Sequence, residues 1–131
     1  MSVTVYPFLM FTGTAEAAMN FYVSVVPDSR IVSIEHFTAE DDGEDGKVKA
    51  ATFEVAGQLV RCFDSYIEHA FTFTPAFSLV IATPDIADVE RYATALAAGG
   101  DVLMPPDDYG FSKRFAWVQD RFGVSWQINC E

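Results

Sequence analysis

The chain has 131 residues, half of them hydrophobic and 15% aromatic, enough for one domain to bury a core without disulfides or a structural metal. Nineteen acidic residues against eight basic ones give a formal net charge of −11, which excludes nucleic acid and an anionic membrane leaflet as partners over most of the surface. Cys62 and Cys130 belong to no CxxC motif and no Cys/His cluster, which excludes zinc-ribbon and thioredoxin-type readings and fits reduced packing residues in a cytoplasmic protein.

The opening MSVTVYPFLMF has no basic n-region and no long apolar run, so it reads as neither a signal peptide nor a membrane span. Its β-branched and aromatic residues 3–11 predict a strand. Thr12-Gly13-Thr14 turns the chain, and Thr14 is the expected N-cap of a helix on which Ala15, Ala18, Met19, Tyr22 and Val26 share a face. Pro27-Asp28-Ser29 stops it. RIVSIEHF predicts a second strand, TAEDDGEDG an acidic, mobile loop, and KVKAATFEV and QLVRCFD a hairpin about Ala56-Gly57. PAFSLVIAT opens the second half as a strand. A helix follows, with Asp85 placed to cap it and Gly99-Gly100 to end it. DVLMP is a short strand, PDDYGFSK a loop, and RFAWVQD with VSWQIN a hairpin about Arg121-Phe122-Gly123.

The order βαβββ thus occurs twice, in modules 1–66 and 74–131 of a single domain spanning 1–131. Sliding one half over the other by 70 positions pairs Tyr22 with Tyr92, Val32 with Val102 and Pro7 with Phe77; a shift of 66 pairs Gly57 with Gly123 and Arg61 with Gln127. The fold class expected is α+β: two βαβββ modules forming a curled mixed sheet around a cavity.

The stretches PFLMFTGTAEAAMNFY, PDSRI, FTFTPAFS and GGDVLMPPDDYGFSKRFAWVQDRFGVSWQIN resemble the vicinal oxygen chelate superfamily, which includes glyoxalases, bleomycin-resistance proteins and dioxygenases. Within it they are similar to the PhnB-like branch, labelled 3-demethylubiquinone-9 3-methyltransferase-like. The resemblance implies modules paired across a homodimer. It also implies four inward-facing positions, on the first and last strands of each module, where metal-dependent members hold a divalent ion with His, Glu or Gln. Those positions fall here at Pro7 or Tyr6, at Arg61, at Phe77 and at Gln127. A divalent ion wants several oxygen or imidazole donors at about 2.0–2.2 Å. Pro and Phe supply none, Arg brings a positive charge, and one neutral amide cannot hold an ion. The expectation is therefore no metal and no cofactor.

What is left is a pocket lined by Gln127, Trp117, Phe77, Arg61, Tyr6 and Lys113. Trp117 beside Gln127 across the last hairpin makes an apolar wall with a polar handle. Arg61 either clamps a carboxylate or phosphate or pairs with Asp64 or an acidic loop. Lys113 sits in an aromatic loop that either lids the pocket or packs on the core. Asp64, Ser65 and His69 invite a hydrolase reading, but no GxSxG elbow surrounds any serine, and the acidic loop lacks the EF-hand pattern. No catalytic residue stands out. The leading expectation is a metal-free, cytoplasmic, homodimeric protein binding a small organic ligand. The alternatives are a divalent-metal glyoxalase, dioxygenase or resistance-type enzyme, a methyltransferase-like activity as the branch label suggests, and a pure dimerising module.

Overall fold

A computed structural model describes residues 2–131. The elements run β1 (Phe8–Phe11), α1 (Ala15–Val25), β2 (Arg30–His36), β3 (Val48–Val55), β4 (Gln58–Asp64), β5 (Ser78–Ala82), α2 (Ile86–Ala97), β6 (Asp101–Asp107), β7 (Arg114–Gln119) and β8 (Ser125–Cys130). The expected βαβββ order is present twice. The chain resolves into two compact units, one ending at His69 and one beginning at Ala70. Each contains one four-stranded mixed sheet, ordered β1-β4-β3-β2 and β5-β8-β7-β6, and neither sheet is closed. In both, the first strand runs parallel to the last and the remaining pairs are antiparallel.

In the first unit, alternation along the strands sends Leu9, Phe11, Ala51, Phe53, Val60 and Cys62 to the face covered by α1, where all are buried. Ala15, Ala18, Met19 and Tyr22 meet them from the helix. Phe8, Met10, Thr52, Leu59, Arg61 and Phe63 take the opposite face. In the second unit Trp126, Ile128, Cys130, Ala116 and Val118 pack against Val89, Tyr92, Ala93 and Leu96 of α2. Ser125, Gln127, Asn129, Trp117, Ser78 and Val80 turn the other way.

Several local expectations are corrected. The first strand begins at Phe8 rather than residue 3, because Pro7 has no N–H; only its carbonyl extends the ladder, accepting from Arg61 N–H at 3.0 Å. Thr14 makes no side-chain cap on α1. The capping oxygen comes from Asp64, at the far end of β4: its Oδ1 accepts from Gly13 and Ala15 N–H at 2.8 and 3.0 Å, and its Oδ2 from Val48 N–H at 2.9 Å. Asp64 is buried and faces α1, so it does not pair with Arg61. The last short strand expected at 101–105 reaches Asp107, taking in Pro105 and Pro106, which a strand paired on one side only can tolerate. Within the acidic loop, Asp41 accepts from Thr38 N–H and Lys49 Nζ, and those two bonds hold its carboxyl below the usual carboxylate range; neither bears on how mobile the loop is.

Other expectations hold. Asp85 caps α2 by accepting from Ala87 N–H at 2.9 Å. Ala56 and Gly57, with φ of 47° and 84°, make the two-residue turn between β3 and β4. Asp120 closes the β7–β8 turn, accepting from Phe122 and Val124 N–H and from Trp126 Nε1 at 2.8, 3.0 and 2.9 Å.

Candidate functional site

The residues singled out from sequence gather in two places, one on each unit. On the first, Arg61 lies on the sheet face away from α1, directly beside Phe8 in the β1–β4 ladder and beside Thr52 in the β3–β4 ladder. Its guanidinium stands 5.8 Å from the centroid of the Tyr6 ring, and its Nη1 donates to Tyr6 Oη at 3.5 Å. Arg61 Nε is shielded from solvent with no partner. Phe8 stacks on Phe63 at 5.3 Å. The group is therefore an aromatic floor with one cation whose donor capacity is partly unused. Tyr6, rather than Pro7, is the N-terminal residue whose side chain meets the Arg61 guanidinium.

The second place is the face of β5, β8 and β7 away from α2. Trp117 and Gln127 are direct partners across the hairpin, as the alternation predicts. Trp117 Nε1 donates to Ser125 Oγ at 2.8 Å, Ser125 Oγ lies 2.7 Å from Ser78 Oγ, and Gln127 Nε2 donates to Ser78 Oγ at 3.3 Å. Four side chains from three strands thus form one hydrogen-bonded chain. Asn129 Oδ1, next along the same face of β8, is shielded and without a partner. Val80 is the β5 residue beside Gln127; Phe77 precedes the strand and is 64% exposed. Lys113, just before β7, is exposed, with its N–H bonded to Cys130 O. Beside it Tyr109, Phe111 and Phe115 form a cluster with centroids 5.0–6.3 Å apart. Phe115 belongs to the core, while Phe111 is 63% exposed.

Ser78 and Ser125 were missed as site residues. The signal for Ser78 lay in the alternation Ser78, Val80, Ala82 within SLVIA, which matches Ser125, Gln127, Asn129 on the neighbouring strand. Ser65 and His69 do meet, with Oγ 3.0 Å from Nε2. Asp64, which would have to orient that histidine in a triad, is committed to three backbone N–H groups instead.

The donor set can be tested against a divalent ion. The first- and last-strand ladder partners are Phe8 with Arg61 in one unit and Val80 with Gln127 in the other. Phe8 and Val80 have no donor atom, Arg61 is cationic, and Gln127 offers one neutral amide oxygen. These residues do not fit a metal centre. Among the described residues no three His, Cys, Asp or Glu side chains converge.

Two compact βαβββ units in this strand order define the glyoxalase, or vicinal oxygen chelate, class of α+β proteins. A glyoxalase/bleomycin resistance protein/dioxygenase domain from Frankia superposes with a TM-score of 0.66 at 12% identity, covering 99% of this chain and 92% of that one, a likeness of fold alone. Within the class, residues 3–129 match the family described as 3-demethylubiquinone-9 3-methyltransferase, and the chain belongs to that family. The PhnB protein from Bacillus cereus, whose solved structure carries that family description, is 44% identical with a TM-score of 0.94, covering 98% of this chain and 100% of that one. Protein YjdN of Escherichia coli K12 is 24% identical over 94% of this chain and 92% of its own length.

Proposed function

We propose that this protein binds a small organic molecule without a resident metal ion, chiefly on the face of the second unit where Trp117 offers a ring and Gln127 an amide. The observation that carries the reading is the hydrogen-bonded chain Trp117–Ser125–Ser78–Gln127 on a sheet face away from the core. Polar side chains this deliberately satisfied on a half-buried surface are the way a site fixes the orientation of a guest. Phe77 and Lys113, exposed beside the same sheet, serve as rim contacts. On the first unit Arg61 with Tyr6 offers a cation and a ring for an acceptor group. On this face none of Ser78, Val80, Trp117, Ser125, Gln127 and Asn129 is a base for proton transfer, so any turnover there comes from orientation. Neither strand-to-helix turn, Thr12-Gly13-Thr14 or Thr83-Pro84-Asp85, is the glycine-rich cradle expected of a nucleoside-cofactor methyltransferase, so methyl transfer stays the weaker reading.

The protein works as a homodimer in the cytoplasm. Phe8, 61% exposed on the first unit, leaves apolar area of the kind a partner copy covers. No described helix is long and apolar enough to cross a membrane.

A thermal-shift screen of small aromatic amides, alcohols and carboxylates, run with and without chelator, tests the reading. A stabilising compound whose effect survives chelation and shrinks in Gln127→Ala or Arg61→Ala supports it. A compound that stabilises only in the presence of added metal, or equally well in both variants, contradicts it.

A further inference from the structure

The protons in the chain on the second unit can be assigned one at a time. Trp117 Nε1 is donor only, so Ser125 Oγ accepts that bond. Ser125 is buried, and among the described residues the acceptor that meets its own proton is Ser78 Oγ at 2.7 Å. The opposite arrangement would strand a hydroxyl proton inside the protein. Gln127 Nε2 donates to the same Ser78 Oγ. Both lone pairs of that oxygen are then taken, and among the described residues no further acceptor is bonded to the Ser78 proton. The relay runs from Trp117 through Ser125 to Ser78 and ends on a donor, which the two preceding bonds polarise further.

Gln127 spends one of its two N–H groups on Ser78, which fixes the orientation of the amide and leaves its carbonyl, Oε1, as an acceptor. The face therefore sets the Ser78 hydroxyl donor next to the Gln127 carbonyl acceptor. The side chains that build it, Ser78, Val80, Trp117, Ser125, Gln127 and Asn129, carry no charge. An ionised group laid there would lose water and gain no counter-charge.

We propose that this face selects an uncharged ligand that carries a hydrogen-bond acceptor beside an N–H donor, the edge of a primary carboxamide or lactam. Ser78 is the specificity-determining residue: its hydroxyl donates to the ligand carbonyl while Gln127 Oε1 accepts the ligand N–H. Trp117 and Ser125 are positioning residues that fix which way the Ser78 proton points. The proposal rests on the ligand-face reading above.

Benzamide, N,N-dimethylbenzamide and benzoate share a ring and differ only in the edge they offer. Each is titrated into the ¹⁵N-labelled full chain, following amide shifts in β5, β7 and β8. Benzamide should bind about fivefold to tenfold more tightly than the other two, the size expected for a paired edge. Ser78→Ala should erase that preference, and Ser78→Thr, which keeps a hydroxyl, should retain most of it. Equal affinities for the three compounds in the wild type overturn the proposal with no variant needed, as does an undiminished preference in a folded Ser78→Ala. If none of the three shifts a resonance on these strands, the ligand-face reading fails and takes the proposal with it.

Discussion

The two units share one topology and differ at matched positions. The shift that aligns Arg61 with Gln127 sets Asp64 against Cys130, and both are buried at the end of the last strand. In the first unit that position holds a carboxylate, which reaches back to the N-terminus of α1 and to Val48. In the second it holds a thiol, and α2 is capped locally by Asp85. The same contrast appears on the opposite faces: one carries a cation among aromatic rings, the other an uncharged relay of hydroxyls and amides. A repeated βαβββ frame fixes where side chains point and leaves their chemistry free. The helix-side positions hold the frame together, and the outward positions are where the units specialise.

The largest difference expected between the units is in how their helices are anchored. Asp64→Ala strips the acceptor from three N–H groups, two of them buried, and at about 1–3 kcal/mol for each unpaired group should cost roughly 3–5 kcal/mol in urea unfolding. Asp85→Ala removes one exposed cap and should cost about 1 kcal/mol. Equal losses would erase the distinction between a long-range anchor and a local one. Gly57→Ala forces a side chain into a left-handed turn at φ 84° with open space around it, so the cost is conformational, about 1 kcal/mol. Arg30→Ala, which breaks an exposed ion pair with Glu54, should change stability by no more than about 0.5 kcal/mol. The smallest signal should come from the thiols. Burial, helped by the Asp64 charge, pushes Cys62 up to about 12, so it stays protonated at neutral pH, and a disulfide reagent should label neither buried cysteine until the chain unfolds. Labelling of the native protein at pH 7 would show that these strands open.

Much of this frame was legible in the sequence. Period-two alternation in RFAWVQD and VSWQIN put Trp117 beside Gln127, and the turn residues Ala56-Gly57 and Gly123 placed both hairpins. What escaped was long-range bonding. Thr14 looked like a cap because capping is read from neighbours, whereas Asp64 is distant in sequence and becomes the cap only once β4 lies parallel to β1. Pro7 sat inside an apparently continuous strand, and its missing N–H decided where pairing stops. A lone serine in SLVIA carries no chemistry until β8 supplies Ser125 and Gln127, so Ser78 is legible only in the fold. The outward positions beside Arg61 and Gln127 became certain only with the register, which sets Phe8 and Val80 there.

Elemental analysis of the full chain, purified without chelator and run beside Gln127→Ala, bears most directly on whether the site grips its guest by hydrogen bonds and ring packing alone. If it does, neither protein carries a transition metal in stoichiometric amount. Close to one equivalent of nickel, zinc, manganese or iron in the wild type, lost in Gln127→Ala, would contradict it.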